Sequence, residues 1–189
     1  FANEDQSSYS SIQVILSAYL FGLATAQPFM GFLSDKFGRK PVMVSGIILF
    51  IIASYVCMTA ESLSMLIAAR FLQGIGGSVG TVTSRAIIRD SYSGDMAAKS
   101  LSRVTATMGM APMIAPVVGA IALSLTGSPS GIFMVTLLIG LSILLPVIFY
   151  LPETVTKVDA ERNQSSWYRN YYKLLRSETF IGSTFNTKL

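Results

Sequence analysis

The chain has 189 residues, 51% hydrophobic and only 13% charged, with a mean hydropathy of +0.56. A soluble domain carries about 25% charged residues, so this composition leaves too little polar surface for a water-soluble fold. One cysteine, Cys57, and no histidine exclude a disulfide framework and remove the commonest metal ligand and neutral-pH general base, so no cofactor, metal site or enzyme activity is expected.

The first ten residues are polar and carry Glu4 and Asp5, and no basic segment precedes the first apolar run. A cleavable signal is therefore not expected. Apolar runs long enough to cross a bilayer, which takes about 20 residues, lie at 12–33, 42–60, 63–87, 104–125 and 132–151. Between the first two stands Gly31-Phe32-Leu33-Ser34-Asp35-Lys36-Phe37-Gly38-Arg39-Lys40-Pro41, with one acid, three bases and two glycines. It reads as a charged hinge loop between spanning helices. Glu61 marks the next turn, Arg89-Asp90 ends the third run, and Leu151-Pro152-Glu153-Thr154 follows the fifth. Residues 153–180 read as a linker. Within it, 166–180 sets Trp167, Tyr168, Tyr171 and Tyr172 on one helical face against Arg169, Lys173 and Arg176 on the other. That pattern suits a helix lying on an anionic leaflet. Residues 181–189 read as the start of a further transmembrane segment.

The net charge of +4 admits either nucleic acid or an anionic lipid surface as partner. The loop bases all fall on one side of the alternating connections: Lys36, Arg39 and Lys40, then Arg89, Lys99 and Arg103, then Lys157 and those beyond it. The other side carries Glu4, Asp5, Glu61 and the uncharged 126–130. The positive-inside rule assigns the basic side to the cytoplasm, with residue 1 outside and the linker inside. Membrane-flanking bases leave nucleic acid without a footing. An odd number of crossings, entered mid-loop, leads us to expect a longer protein with an earlier helix.

Three features inside the runs carry chemistry or packing. Arg70 lies deep in the third run, where a charge costs at least about 2.5 kcal/mol and normally faces the interior or water. No acid lies in any of the five runs, so its expected partners are backbone carbonyls, Gln73, water or a residue elsewhere in the protein. Gly74-Ile75-Gly76-Gly77-Ser78-Val79-Gly80 fails as a nucleotide loop, because Val79 breaks the glycine pattern and no Lys-Ser or Lys-Thr follows. Gly76 and Gly80 share a helix face and predict close backbone approach. Met108, Met110 and Met113 read as lipid-facing or filler residues before they read as a drug-binding surface. Pro112 and Pro116 should bend the fourth span, and Ala111, Ala115, Gly119 and Ala120 should let it pack tightly on a neighbour.

The loop closely resembles the signature Gly-x-Leu-x-Asp-Arg-x-Gly-Arg-Lys of the major facilitator superfamily. Gly31, Leu33, Asp35, Gly38, Arg39 and Lys40 match it, and Lys36 replaces an arginine. Leu66-x-x-x-Arg70-x-x-Gln73-Gly74-x-Gly76 resembles the superfamily's helix-four motif, with Gly77 and Ser78 in place of two alanines. Pro116 and Gly119 match its helix-five antiporter motif, where Ala111, Ala115 and Ala120 replace glycines. The paired prolines, Arg89-Asp90 and Leu151-Pro152-Glu153-Thr154 look like the Bcr/CflA group of bacterial drug:proton antiporters. Ser128-Pro129-Ser130-Gly131 stands where that group has Trp-Arg.

The resemblance implies an all-α membrane protein, an incomplete N-terminal bundle holding helices two to six of twelve, multi-pass in a bacterial inner membrane. It implies a proton-coupled secondary transporter that exports small amphipathic compounds or drugs by alternating access. Gly31, Asp35, Lys36, Gly38, Arg39, Lys40 and Asp90 would form a conformational latch between the two halves, with Asp35 capping a helix N-terminus of the missing C-terminal half. Adjoining helix ends of one bundle let Arg39 meet Asp90, so exchanging those two charges should partly restore function. Arg70 and Gln73 would lie on the transport path, and Pro112, Pro116 and Gly119 would form a helix-five gate. Expected partners are the lipid bilayer, a small-molecule substrate, a proton, and the missing first helix and C-terminal half. A metabolite or siderophore transporter of the same superfamily would share every motif, and a non-transporting membrane scaffold is the third reading.

Overall fold

The computed structural model describes the backbone of residues 2–153 and the side chains from residue 10 onward. The linker and the further segment expected beyond residue 153 lie outside the described residues. Five helices follow in order: α1 (Ala2–Phe37), α2 (Arg39–Met58), α3 (Leu63–Ser91), α4 (Gly94–Thr126) and α5 (Ser130–Tyr150). Each is long and apolar enough to cross a membrane. A helix satisfies its own backbone hydrogen bonds, which is what hydrocarbon demands of a spanning segment.

The connections are short. The expected hinge loop is a correction: α1 continues through Asp35, Lys36 and Phe37, and α2 starts at Arg39, so Gly38 alone interrupts the helices. Charge alone does not break a helix, and lysine and arginine are good helix formers. At Gly38 the backbone has φ 100° and ψ 155°, a conformation that glycine adopts without a Cβ penalty. Thr59 and Ala60 fall outside α2, and Ser62 begins α3 by accepting the Met65 N–H at 3.2 Å. Gly127, left-handed at φ 65°, ends α4.

Small residues set the packing. α3 is the centre, with α1 and α2 laid along it, while α5 packs chiefly on α2. A Cβ on Gly74 would run into the Tyr19 carbonyl of α1. One on Gly76 would lie 2.6 Å from Phe50 N and 2.8 Å from Gly46 O of α2. Gly76 thus makes the close approach expected of it, whereas Gly80 does not: a Cβ there meets nothing within 4 Å. The helix faces diverge over that turn, and equal spacing along a helix does not ensure equal contact.

The interior mixes apolar side chains such as Val42, Ile47 and Phe133 with small polar ones, while the exterior is apolar. Ser34, Ser54, Gln73, Ser78 and Thr83 are fully buried, while Leu20, Phe29, Ile52, Ile121 and Phe149 point outward. Between transmembrane helices such small and polar residues allow close contact and cross-helix hydrogen bonds. α4 is the exception. Ala122 is its one buried residue among those described, and it touches α5 and α3 sparsely.

Candidate functional site

Two polar assemblies stand out, one at the helix ends around Arg39 and one along α3 around Arg70. The turn at Gly38 brings the start of α2 back beside the end of α1, and α3 delivers Asp90 to the same place. Arg39, only 8% exposed, pairs with Asp35 of α1 and donates from Nε to Asp90 Oδ2 of α3 at 3.0 Å. Its Nη1 also donates to buried Ser34 Oγ at 2.9 Å. A planar guanidinium suits such divided work, because its donors leave in fixed directions.

The backbone beneath that side chain has a separate anchor. Arg39 N–H donates to Glu153 Oε1 at 2.8 Å and Lys40 N–H to Glu153 Oε2 at 3.1 Å. Sequence reasoning singled out Glu153 only as part of a motif and gave it no role. The partners are 114 and 113 residues apart, and no local pattern announces a carboxylate that caps a distant helix. Of the other hinge residues, Lys36 is exposed and holds its Nζ 5.3 Å from the Phe37 ring centroid and 5.9 Å from that of Phe32. Gly31 lies at ordinary contact distance from Val82 of α3.

Arg70 is partly buried where α1, α2, α3 and α5 converge. Nη1 donates to Gln73 Oε1 at 3.0 Å, and Gln73 Nε2 donates to Ser54 Oγ of α2 at 2.8 Å. Ser54 closes the chain by donating to the Phe50 carbonyl at 2.7 Å. The guanidinium carbon lies 4.8 Å from the Phe133 ring centroid and 6.0 Å from that of Tyr19, so aromatic faces supply the electron-rich contact that an acid would otherwise give. Arg70 Nε is buried with no hydrogen-bond partner among the described residues. Gln73, one of the partners expected from sequence, is present; the two rings were not foreseen.

The helix-five group lies along a sparsely packed stretch of α4. Pro112 and Pro116 are exposed, and a Cβ on Gly119 would meet nothing within 4 Å. The tight packing expected of this face is absent among the described residues. Ala111, Ala115 and Gly119 instead line an apolar cavity of about 510 Å³ opposite Ile132, Val135 and Ile139 of α5. Small side chains create room as readily as they create contact, and here α4 and α5 leave the room open. Met110 lines the cavity, whereas Met113 is 77% exposed. Arg85 was overlooked although it lies inside the third apolar run; it is exposed, with Nη2 3.9 Å from Met108 Sδ.

The family model of the Major Facilitator Superfamily matches residues 1–186. Among curated proteins, the Multidrug resistance protein MdtL of Shigella dysenteriae serotype 1 is 35% identical over 158 residues, covering 84% of this chain and 40% of that protein. MdtL of Escherichia coli O17:K52:H18 is 35% identical over 173 residues, covering 89% of this chain and 44% of that protein. MdtL of Escherichia coli K12 is 37% identical over 147 residues, covering 78% and 37% respectively. The chain spans less than half the length of these relatives. With five helices able to cross a bilayer and a family match over nearly its whole length, the chain is a multi-pass membrane protein and belongs to the Major Facilitator Superfamily.

Proposed function

We propose that the protein carrying this chain is a proton-coupled exporter of small amphipathic compounds, working by alternating access in a bacterial inner membrane. The observation that carries the reading is the similarity over 84–89% of the chain to proteins named for multidrug resistance. In this reading the Arg39 end faces the cytoplasm and residue 1 lies outside. The five helices act together with an additional first helix and a C-terminal half, consistent with the greater length of the relatives.

The residues divide the work. Asp35, held beside Arg39 and Asp90, latches the two halves by capping a helix N-terminus of the C-terminal half in the outward-open state and releases it in the inward-open one, with Gly31, Lys36, Gly38 and Lys40 shaping the turn that carries it. Arg70 and Gln73 border the transport path, where the free Nε can serve an anionic group. Pro112, Pro116 and Gly119 leave α4 loosely held, as a gating helix needs. Nothing covalent happens to the cargo. One charge crossing about 100 mV supplies about 2.3 kcal/mol, and about 1.4 kcal/mol is tenfold in an equilibrium, so one net charge sustains a gradient of about fifty-fold.

The test is dye and drug efflux from cells lacking their own exporters, expressing the full-length protein. Efflux is expected to appear with expression and to stop when an ionophore collapses the proton gradient. Unchanged accumulation across a panel of cationic and neutral amphipathic compounds would remove the export reading.

A further inference from the structure

Two separate sets of acids hold Arg39. Asp35 and Asp90 hold its guanidinium, while Glu153 holds its backbone and that of Lys40. The first N–H groups of a helix lack intrahelical acceptors, and α2 has poor means of satisfying its own. Its N-cap is Gly38, with no side-chain hydrogen bond, and its third residue is Pro41, which has no N–H. Both N–H groups at the start of the helix therefore go to one carboxylate, which the helix dipole also favours. That carboxylate stands just past the end of α5. Gly38 leaves space for it, since a Cβ there would lie 2.6 Å from Glu153 Oε2. The turn, the glycine and the proline fit a cap delivered from another helix.

We propose that Glu153 is a positioning residue of the latch: it caps α2 from the end of α5 and so aims the Arg39 guanidinium between Asp35 and Asp90. The proposal deepens the latch reading above and rests on it for its functional half. Loss of the cap lets the first turn of α2 fray, and Arg39 then swings with its backbone. Asp35 and Asp90 remain in place but no longer find the donor at the right angle.

The test uses the full-length protein in proteoliposomes, comparing wild type with Glu153→Ala and Glu153→Gln. Amide exchange at residues 39–40 is expected to quicken about five- to tenfold in Glu153→Ala, the range a lost helix cap implies. Turnover is expected to fall by a similar factor while KM stays within about twofold, because the cargo does not touch Glu153. Glu153→Gln, which keeps its size and one acceptor oxygen, is expected to fall between the two in both readouts. Unchanged exchange in Glu153→Ala overturns the proposal, as does faster exchange with unchanged turnover.

Thermal melting of Glu153→Ala, Asp90→Asn and the double variant reads the same linkage without transport. Glu153 and Asp90 both hold Arg39, so their losses are expected to be less than additive, whereas independent sites add. Additive shifts overturn the proposal. If wild type carries no flux at all, the transport reading fails, and the melting cycle still decides whether Glu153 positions Arg39.

Discussion

Arg39 joins acceptors from two helices through one side chain, and this changes what its replacement should do. If Arg39 and Asp90 were an isolated pair, exchanging them would restore the attraction. Here Asp35 and Glu153 also stand beside position 39, so Arg39→Asp would put a third carboxylate among them. The exchange Arg39→Asp with Asp90→Arg is therefore expected to transport no better than the worse single variant. Arg39→Lys keeps the charge but loses the fork, and about tenfold lower turnover is expected from the loss of one charged hydrogen bond. Transport rate per inserted protein measures both, and recovery in the exchanged variant would show that Asp90 alone matters. Arg70 follows the same logic with different partners. Lysine cannot both reach Gln73 and lie flat on Phe133, so Arg70→Lys is expected to be partly active and Arg70→Ala inactive while inserting normally. Gln73→Leu should cost about 1–3 kcal/mol in melting, because it leaves polar groups of Arg70 and Ser54 without their partner. Normal drug resistance in Arg70→Ala would place that arginine outside the transport path.

At the level of helices, two glycines of α3 decide where its neighbours sit. Gly74 and Gly76 meet backbone atoms of α1 and α2, and a backbone cannot step aside as a side-chain tip can. Gly74→Ala and Gly76→Ala should each force a helix outward and cost about 1–3 kcal/mol, the usual range for overpacking. Gly80→Ala should be silent, as its Cβ would project into open space. Melting of the purified variants checks the contrast, and equal losses at Gly76 and Gly80 would contradict the packing described. Sequence alone pointed to both glycines equally, because helical spacing identifies a shared face but not where a neighbouring helix departs from it. The same boundary separates legible from illegible features elsewhere. The five apolar runs followed from hydropathy and the Arg39–Asp90 encounter from which helix ends meet, while Gln73 was one of several partners left open for Arg70. Glu153 did not, since a cap from 114 residues away leaves no local trace. The continuous helix through Lys36 was hidden because charge marks the edge of the hydrocarbon, not the end of a helix. The cavity beside Gly119 was hidden because a small residue allows contact without supplying the partner.

For the molecule as a whole, the asymmetry of charge turns the bundle into a statement about which side faces the cell. Lys36, Arg39, Lys40 and Arg89 gather where α1 ends, α2 begins and α3 ends, and Lys99 and Arg103 lie in the first turns of α4. Glu61 sits in the turn between α2 and α3, at the opposite end of both helices. Positively charged short loops are retained in the cytoplasm, and acids contribute little to that choice. Under the proposed orientation, with the Arg39 end inside, Lys36 and Lys99 face the cytoplasm and Glu61 faces out. Single cysteines at these positions, in a Cys57→Ala background, can be labelled in whole cells with a membrane-impermeant maleimide. Cys57 is buried, so its removal chiefly guards against slow background labelling. Position 61 is expected to react within minutes in intact cells, and positions 36, 99 and 157 only after the membrane is opened. Labelling of position 36 from outside would invert the bundle. The latch would then lie on the outer face, and export would have to begin from the side now assigned to release.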